Sequence, residues 1–160
     1  MEVVDSQADC ENPPAGLIAR AVALTIARER AGAEWRVTVL LATEERMRQL
    51  NRDHGGEDAA TDVLSFNHTE GWRQGALPRA DAAPPGLDEG YLGDIALCIA
   101  IARRQAADVG RTLEQELALL TVHGTLHLLG YDHAEEGEKR AMFARTDAIL
   151  DELLRTGGAA

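Results

Sequence analysis

Three of the chain's five histidines fall within one short stretch, HGTLHLLGYDH at positions 123–133. Residues four apart on an α-helix are rotated by only about 40° and separated by about 6 Å along the axis. On a helix, His123 and His127 therefore project from one face, close enough for a single cation to bridge both rings. A third ligand on the next turn of that face would crowd the ion. Gly130 offers a way out, because glycine adopts the left-handed conformation that ends helices. The chain then turns through Tyr131 and Asp132, and His133 can return to the ion. Three imidazoles with a fourth position open to water make the ligand set of a catalytic zinc site, whereas structural sites usually close with four protein ligands. Imidazole-only ligation suits zinc best, with copper, nickel and iron chemically open. Asp132 has two readings: a carboxylate that orients an imidazole N–H, or a surface turn residue.

The spacing is that of the zinc proteases with the motif H-E-x-x-H-x-x-G-x-x-H, with one change. The Glu that serves those enzymes as general base is Gly124 here. Glycine inside a helix costs about 1 kcal/mol relative to alanine, so Gly124 is expected to mark a place needing room above the metal. Without that carboxylate, peptide hydrolysis is a runner-up only.

Positioning the histidines requires a helix before Gly130 and a support behind it. Thr112 and Gln115 form a T-x-x-Q capping box that starts a helix through Leu117, Leu120 and Thr121 to the histidines. Upstream, Leu17, Ile18, Ala21, Leu24, Thr25 and Arg28 repeat at helical spacing over 16–31, with Gly32 as C-cap. WRVTVLLA (35–42), TDVLSF (61–66) and YLGDIALCI (91–99) are short, apolar and rich in β-branched residues, and predict three strands. Thr43 followed by Glu44 and Glu45 predicts a helix start, and HGGED (54–58) its end. AIARRQAADVG predicts a helix closed by Gly110. A last helix spans about 135–154. The stretch 67–90 is rich in Gly, Pro and charge and reads as a long loop, pinned by Trp72; His68 is read as an ordinary loop residue. Residues 1–14 read as a flexible acidic arm, 15–154 as one domain, and 155–160 as a flexible tail. The expected fold is α+β, a small mixed sheet covered by helices, with the metal site at the end of a helix.

Bulk composition agrees with this. The chain has 160 residues, 45% of them hydrophobic and 27% charged, with no apolar run near the roughly 20 residues that span a bilayer. The acidic N-terminus lacks the pattern of a secretory signal, and Cys10 and Cys98 are too isolated for a disulfide framework. A cytoplasmic protein with reduced thiols is expected. The formal net charge of −11 argues against indiscriminate binding to nucleic acid, and neither a membrane nor DNA is expected as partner.

The segment HGTLHLLGYDH matches HGxLHLxGYDH, and the chain thereby resembles the bacterial YbeY family of zinc-dependent endoribonucleases. LN (50–51), TDVLSF (61–66) and LGDI (92–95) extend the resemblance in the family's order over most of 35–150. It implies one zinc ion per chain on His123, His127 and His133. It further implies a cytoplasmic protein that processes the 3′ end of small-subunit ribosomal RNA and serves ribosome quality control, with the small subunit or assembly proteins as partners. One departure stands out. Family members carry an aromatic residue and then Arg ahead of the TDVLSF strand, and this chain has His54 and Gly55 there, with Ala60 where Pro is common. Arg52, or Arg73 and Arg79 of the loop, would have to replace that charge.

The leading expectation is hydrolytic cleavage of single-stranded RNA at a zinc centre. Arg52 and His54 are candidate substrate contacts, His54 otherwise being an exposed loop residue. The general acid, the general base and the nucleophile are not readable. Two alternatives remain: a zinc-stabilised ribosome-assembly factor with weak or no cleavage, and a metallohydrolase of another substrate such as a peptide.

Overall fold

In the strand Arg36–Ala42 (β2), Val37, Val39 and Leu41 are fully buried while Thr38 and Leu40 are only partly covered. That alternation lays one face of a sheet on a large core and leaves the other for a smaller one. The computed structural model describes residues 2–5, 13–29, 35–55, 57–67, 90–132 and 134–157. Its sheet has four strands in the order β1-β2-β4-β3. Glu2–Asp5 (β1) and Tyr91–Cys98 (β4) flank β2 in parallel, and Val63–Asn67 (β3) closes the sheet antiparallel to β4. The sheet is therefore mixed, as expected, but one strand wider. The acidic N-terminal segment, expected to be an unstructured arm, contributes β1 by pairing Val3 and Val4 with Val39 and Leu40.

The helices are Ala15–Glu29 (α1), Glu44–Leu50 (α2), Ile99–Val109 (α3), Leu113–Leu128 (α4) and Glu136–Gly157 (α5). One core cluster joins Ile18, Val22 and Ile26 of α1 with the inner face of β2 and β4, and with Leu117, Val122 and Leu126 of α4 and Met142, Ile149 and Leu153 of α5. Ala42, Met47, Ala96 and Cys98 make a second cluster on the other face under α2, with Leu64 and Phe66 packed against it. Central β4 is thus covered on both faces, which explains its unbroken apolar run.

Local chemistry sets the ends. Thr43 caps α2 by accepting the Arg46 N–H. Thr112 and Gln115 exchange both bonds of the capping box on α4. Gly110 (φ 70°) and Gly130 (φ 90°) close α3 and α4 in the left-handed conformation that favours glycine. The helix α5 runs three residues past the expected boundary at 154, to Gly157. After α2 the chain does not stop at His54. It widens into a π-helical turn, Asn51–Gly55, which Asn51 anchors by donating to the Ala59 carbonyl at 2.9 Å. Trp72 and His68 lie outside the described residues.

Candidate metal centre

The helix α4 is the central helix, with ten of its sixteen residues buried. Its buried threonines satisfy their hydroxyls within the helix: Thr121 donates to the Leu117 carbonyl and Thr125 to that of Thr121. Past its exposed first turn the helix is mostly covered, and His123 and His127 lie on its half-buried side. Their Nε2 atoms stand 3.2 Å apart and their rings, 4.8 Å between centroids, cross at 81°. Two ligands bound at 2.0–2.1 Å to one tetrahedral ion stand about 3.3 Å apart, so the pair fits two corners of a zinc site. Among the described residues no group of three or more His, Cys, Asp and Glu gathers around one point. His133, expected as the third ligand, lies outside the described residues.

The turn that leads toward it is fixed. The Tyr131 N–H bonds back to the Leu126 carbonyl at 3.1 Å, and its hydroxyl donates to the Glu29 carboxylate of α1. Arg145 of α5 lies 5.0 Å from the centre of the Tyr131 ring. The turn between the second and third histidines is thereby held by α1 and α5 together. Asp132 is exposed just beyond it.

The strand β3 holds the other side. Ser65 donates to the Gly124 carbonyl at 3.0 Å, and the Asn67 amide donates to the Leu128 carbonyl at 3.2 Å, one of those the helix end leaves without an intrahelical partner. The gap between β3 and α4 is a cleft of about 630 Å³, lined by Asp62, Val63, Ser65, Asn67, the two histidines and Phe143 among others. Asp62 has both oxygens engaged: Oδ1 accepts from the Val63 N–H and the Thr61 hydroxyl, Oδ2 from Gln105. It serves as the cap of β3. None of the described residues lining the cleft is Lys or Arg.

Gly124 does not leave room above the metal, as the sequence suggested. A Cβ there would meet Ile95 Cγ2 at 3.1 Å, Ser65 Oγ at 3.2 Å and Val63 Cγ2 at 3.3 Å. The glycine lets the helix lie close on β3 and β4, and its missing side chain points at the sheet.

Arg52 and His54 are not brought to the histidines. Both sit on the π-helical turn at the other face of the sheet, where the His54 ring meets Phe66 edge-on at 5.1 Å. His54 lines a second cleft with Leu40, Leu50 and Phe66, and among the described residues only Ser65 and Asn67 of β3, and no cation, line both clefts. Arg52 is exposed, 3.8 Å from Asp53 and from Asp58. Arg48 pairs with Asp58 at 2.8 Å, and that guanidinium holds the Asp58 carboxyl below its ordinary range. Cys98 is buried and its thiol is pushed up, chiefly by desolvation, which leaves it unreactive. Cys10 lies outside the described residues. Ser65, Asn67 and Phe143 carry no local signal of a site; only the TDVLSF segment marks the first.

The family model described as endoribonuclease YbeY matches residues 4–154. Among curated relatives, the endoribonuclease YbeY of Geobacillus kaustophilus (strain HTA426) is 46% identical over 135 residues, 84% of this chain and 80% of that protein. That of Desulfitobacterium hafniense (strain Y51) is 40% identical over 141 residues, 86% and 84% of the two chains. The solution structure of TM1509 from Thermotoga maritima shares the fold, with a TM-score of 0.62 at 23% identity over 99% of this chain and 91% of that one.

Proposed function

Because the chain belongs to the endoribonuclease YbeY family, we propose that it is a zinc-dependent endoribonuclease that hydrolyses single-stranded RNA. One zinc per chain is held by His123, His127 and His133. The observation that carries this reading is the 3.2 Å separation of the two Nε2 atoms on the wall of a cleft. A zinc ion bound there supplies Lewis-acid charge and lowers the pKa of bound water toward about 7. The chain itself supplies placement. Ser65 and Asn67 tie β3 to the histidine turns, Tyr131 fixes the turn that follows His127, and the cleft runs between β3 and α4. The proposed biological role is maturation of the 3′ end of small-subunit ribosomal RNA and ribosome quality control in the cytoplasm, with the small subunit or its assembly proteins as partners.

A second reading, a zinc-stabilised assembly factor with little cleavage, draws support from one feature. No Lys or Arg among the described residues lines the cleft, and Gly55 stands where the family carries Arg. A peptidase is disfavoured, because position 124 faces the sheet and can present no base to the cleft.

Purified, zinc-loaded protein is offered single-stranded RNA, duplex RNA and casein, each with and without a chelator. Single-stranded RNA alone is expected to be cut, with activity lost on chelation. His127→Ala is expected to lose most of the zinc in elemental analysis, and cleavage with it. Zinc retained at one per chain in that variant sinks the ligand assignment. RNA binding without turnover selects the assembly-factor reading, and chelator-sensitive casein hydrolysis the peptidase.

A further inference from the structure

The buried stripe of α5 runs through Met142, Thr146, Ile149 and Leu153. Phe143 is one position off it, 46% exposed. A single exposed apolar side chain is ordinary on a protein surface, but this one lies in a particular place. It lines the histidine cleft, with its ring 6.2 Å from that of His123 and tilted by 35°. Rings therefore follow one another along the cleft in the order Phe143, His123, His127. The core contacts of α5 are already made by Met142, Thr146, Ile149 and Leu153 over about three turns, so Phe143 contributes its face to the cleft more than its volume to the core.

Lys139 and Arg140 precede Phe143 by four and three residues, the positions that neighbour it on a helix surface, and both are exposed. An aromatic face beside mobile cations is the combination with which proteins hold single-stranded nucleic acid: the base stacks and its phosphate is neutralised. We propose that Phe143 is the stacking platform for an unpaired nucleobase beside the phosphate presented to His123 and His127, with Lys139 and Arg140 flanking that nucleotide's backbone. The proposal rests on the RNA reading above. It also gives single-strand selectivity a physical cause, since a base within a duplex has both faces covered and cannot lie on Phe143. Every base has a π face, so the site discriminates strandedness and not sequence.

The test compares zinc-loaded wild type with Phe143→Ala, Phe143→Leu and Phe143→Trp on a single-stranded RNA oligonucleotide, and on copies carrying an abasic nucleotide at successive positions around the cut. In Phe143→Ala the half-saturating RNA concentration is expected to rise roughly 5- to 100-fold while the rate at saturation is largely kept. Phe143→Trp should retain tight binding, and Phe143→Leu should lose it despite its apolar bulk. One abasic position should weaken the wild type to the level of Phe143→Ala and leave that variant unaffected. Unchanged half-saturation in Phe143→Ala, or full recovery in Phe143→Leu, overturns the proposal. So does a loss of zinc from Phe143→Ala by elemental analysis, which would make Phe143 a packing support for His123. If the wild type cuts no RNA, the endoribonuclease reading falls by itself. The stacking proposal is then decided by binding: single-stranded RNA must quench the indole of Phe143→Trp beyond the wild-type signal, and absence of that quenching overturns it.

Discussion

At Gly124 two effects of opposite sign meet in one methyl group. Alanine there would gain about 1 kcal/mol of helix propensity. It would also press a Cβ within 3.1–3.3 Å of Ile95, Ser65 and Val63, and overpacking of this kind costs about 1–3 kcal/mol. Two of the three neighbours are methyls on β-branched side chains with little rotameric freedom, so overpacking should win. Gly124→Ala is expected to lose about 1 kcal/mol in urea unfolding; a stabilised variant would mean that α4 can lift off β3 freely. Gly124→Glu restores the residue of the zinc proteases but drives a carboxylate into the sheet. It should be far less stable than Gly124→Ala and gain no casein hydrolysis. The histidine pair could be read from sequence because one helix turn determines it. The role of Gly124 could not, because Ser65, its neighbour across the gap, lies 59 residues upstream.

At the scale of elements, the site depends on how closely the β3–β4 hairpin approaches the end of α4. Gly93 makes that approach possible. It lies opposite Asn67 in the register, just past an irregularity in the β2–β4 pairing at Arg36 and Val37. Its φ of +152° is one that L side chains rarely adopt, and a Cβ would overlap the Phe66 carbonyl oxygen and come within 2.9 Å of Leu128 Cδ2. Backbone strain and the clash together predict that Gly93→Ala costs about 2–5 kcal/mol. Displacing Leu128, whose carbonyl Asn67 holds, should also weaken zinc binding. Chemical denaturation and chelator competition would measure the two effects; a variant unchanged in both would mean that the hairpin does not support the metal turn. Helices and three strands were legible because each carries its own period, cap or breaker. Strand β1 was not, since four residues in an acidic stretch become a strand only through pairing with β2. Nor was the π-helical turn, which brings His54 against Phe66, a partner outside its own segment. The strand order and the separation of Arg52 and His54 from the histidines follow from the same long-range pairing.

Over the whole molecule the charge is −11 at pH 7, and the described lining of the histidine cleft holds no Lys or Arg. A polyanion therefore meets few compensating cations. For single strands, log affinity falls with log salt by about 0.7 per phosphate contact. If Lys139 and Arg140 are the main contacts, the slope should be only about −1.4 between low and physiological salt. A much steeper slope would reveal an extended basic track elsewhere on the chain. Gly55 closes the π-helical turn, next to His54, whose cleft shares Ser65 and Asn67 with the histidine cleft across β3. An Arg at 55 would follow His54, whose ring packs on Phe66 of β3, the edge strand that both clefts share. There it adds one phosphate contact, so Gly55→Arg should steepen the salt slope by about 0.7. A positioned donor to developing phosphoryl charge is worth roughly 100- to 1000-fold where its geometry is ideal. A flexible side chain at the last residue of the turn will reach only part of that, so a severalfold rise in the single-turnover rate on single-stranded RNA is expected. Zinc content and thermal stability, measured alongside, should match the wild type. A steeper slope with an unchanged rate would mean that the added cation holds RNA in the ground state only. An unchanged slope would mean that position 55 never reaches the strand, and that another cation of this chain, or of a partner, stands in for the family's Arg.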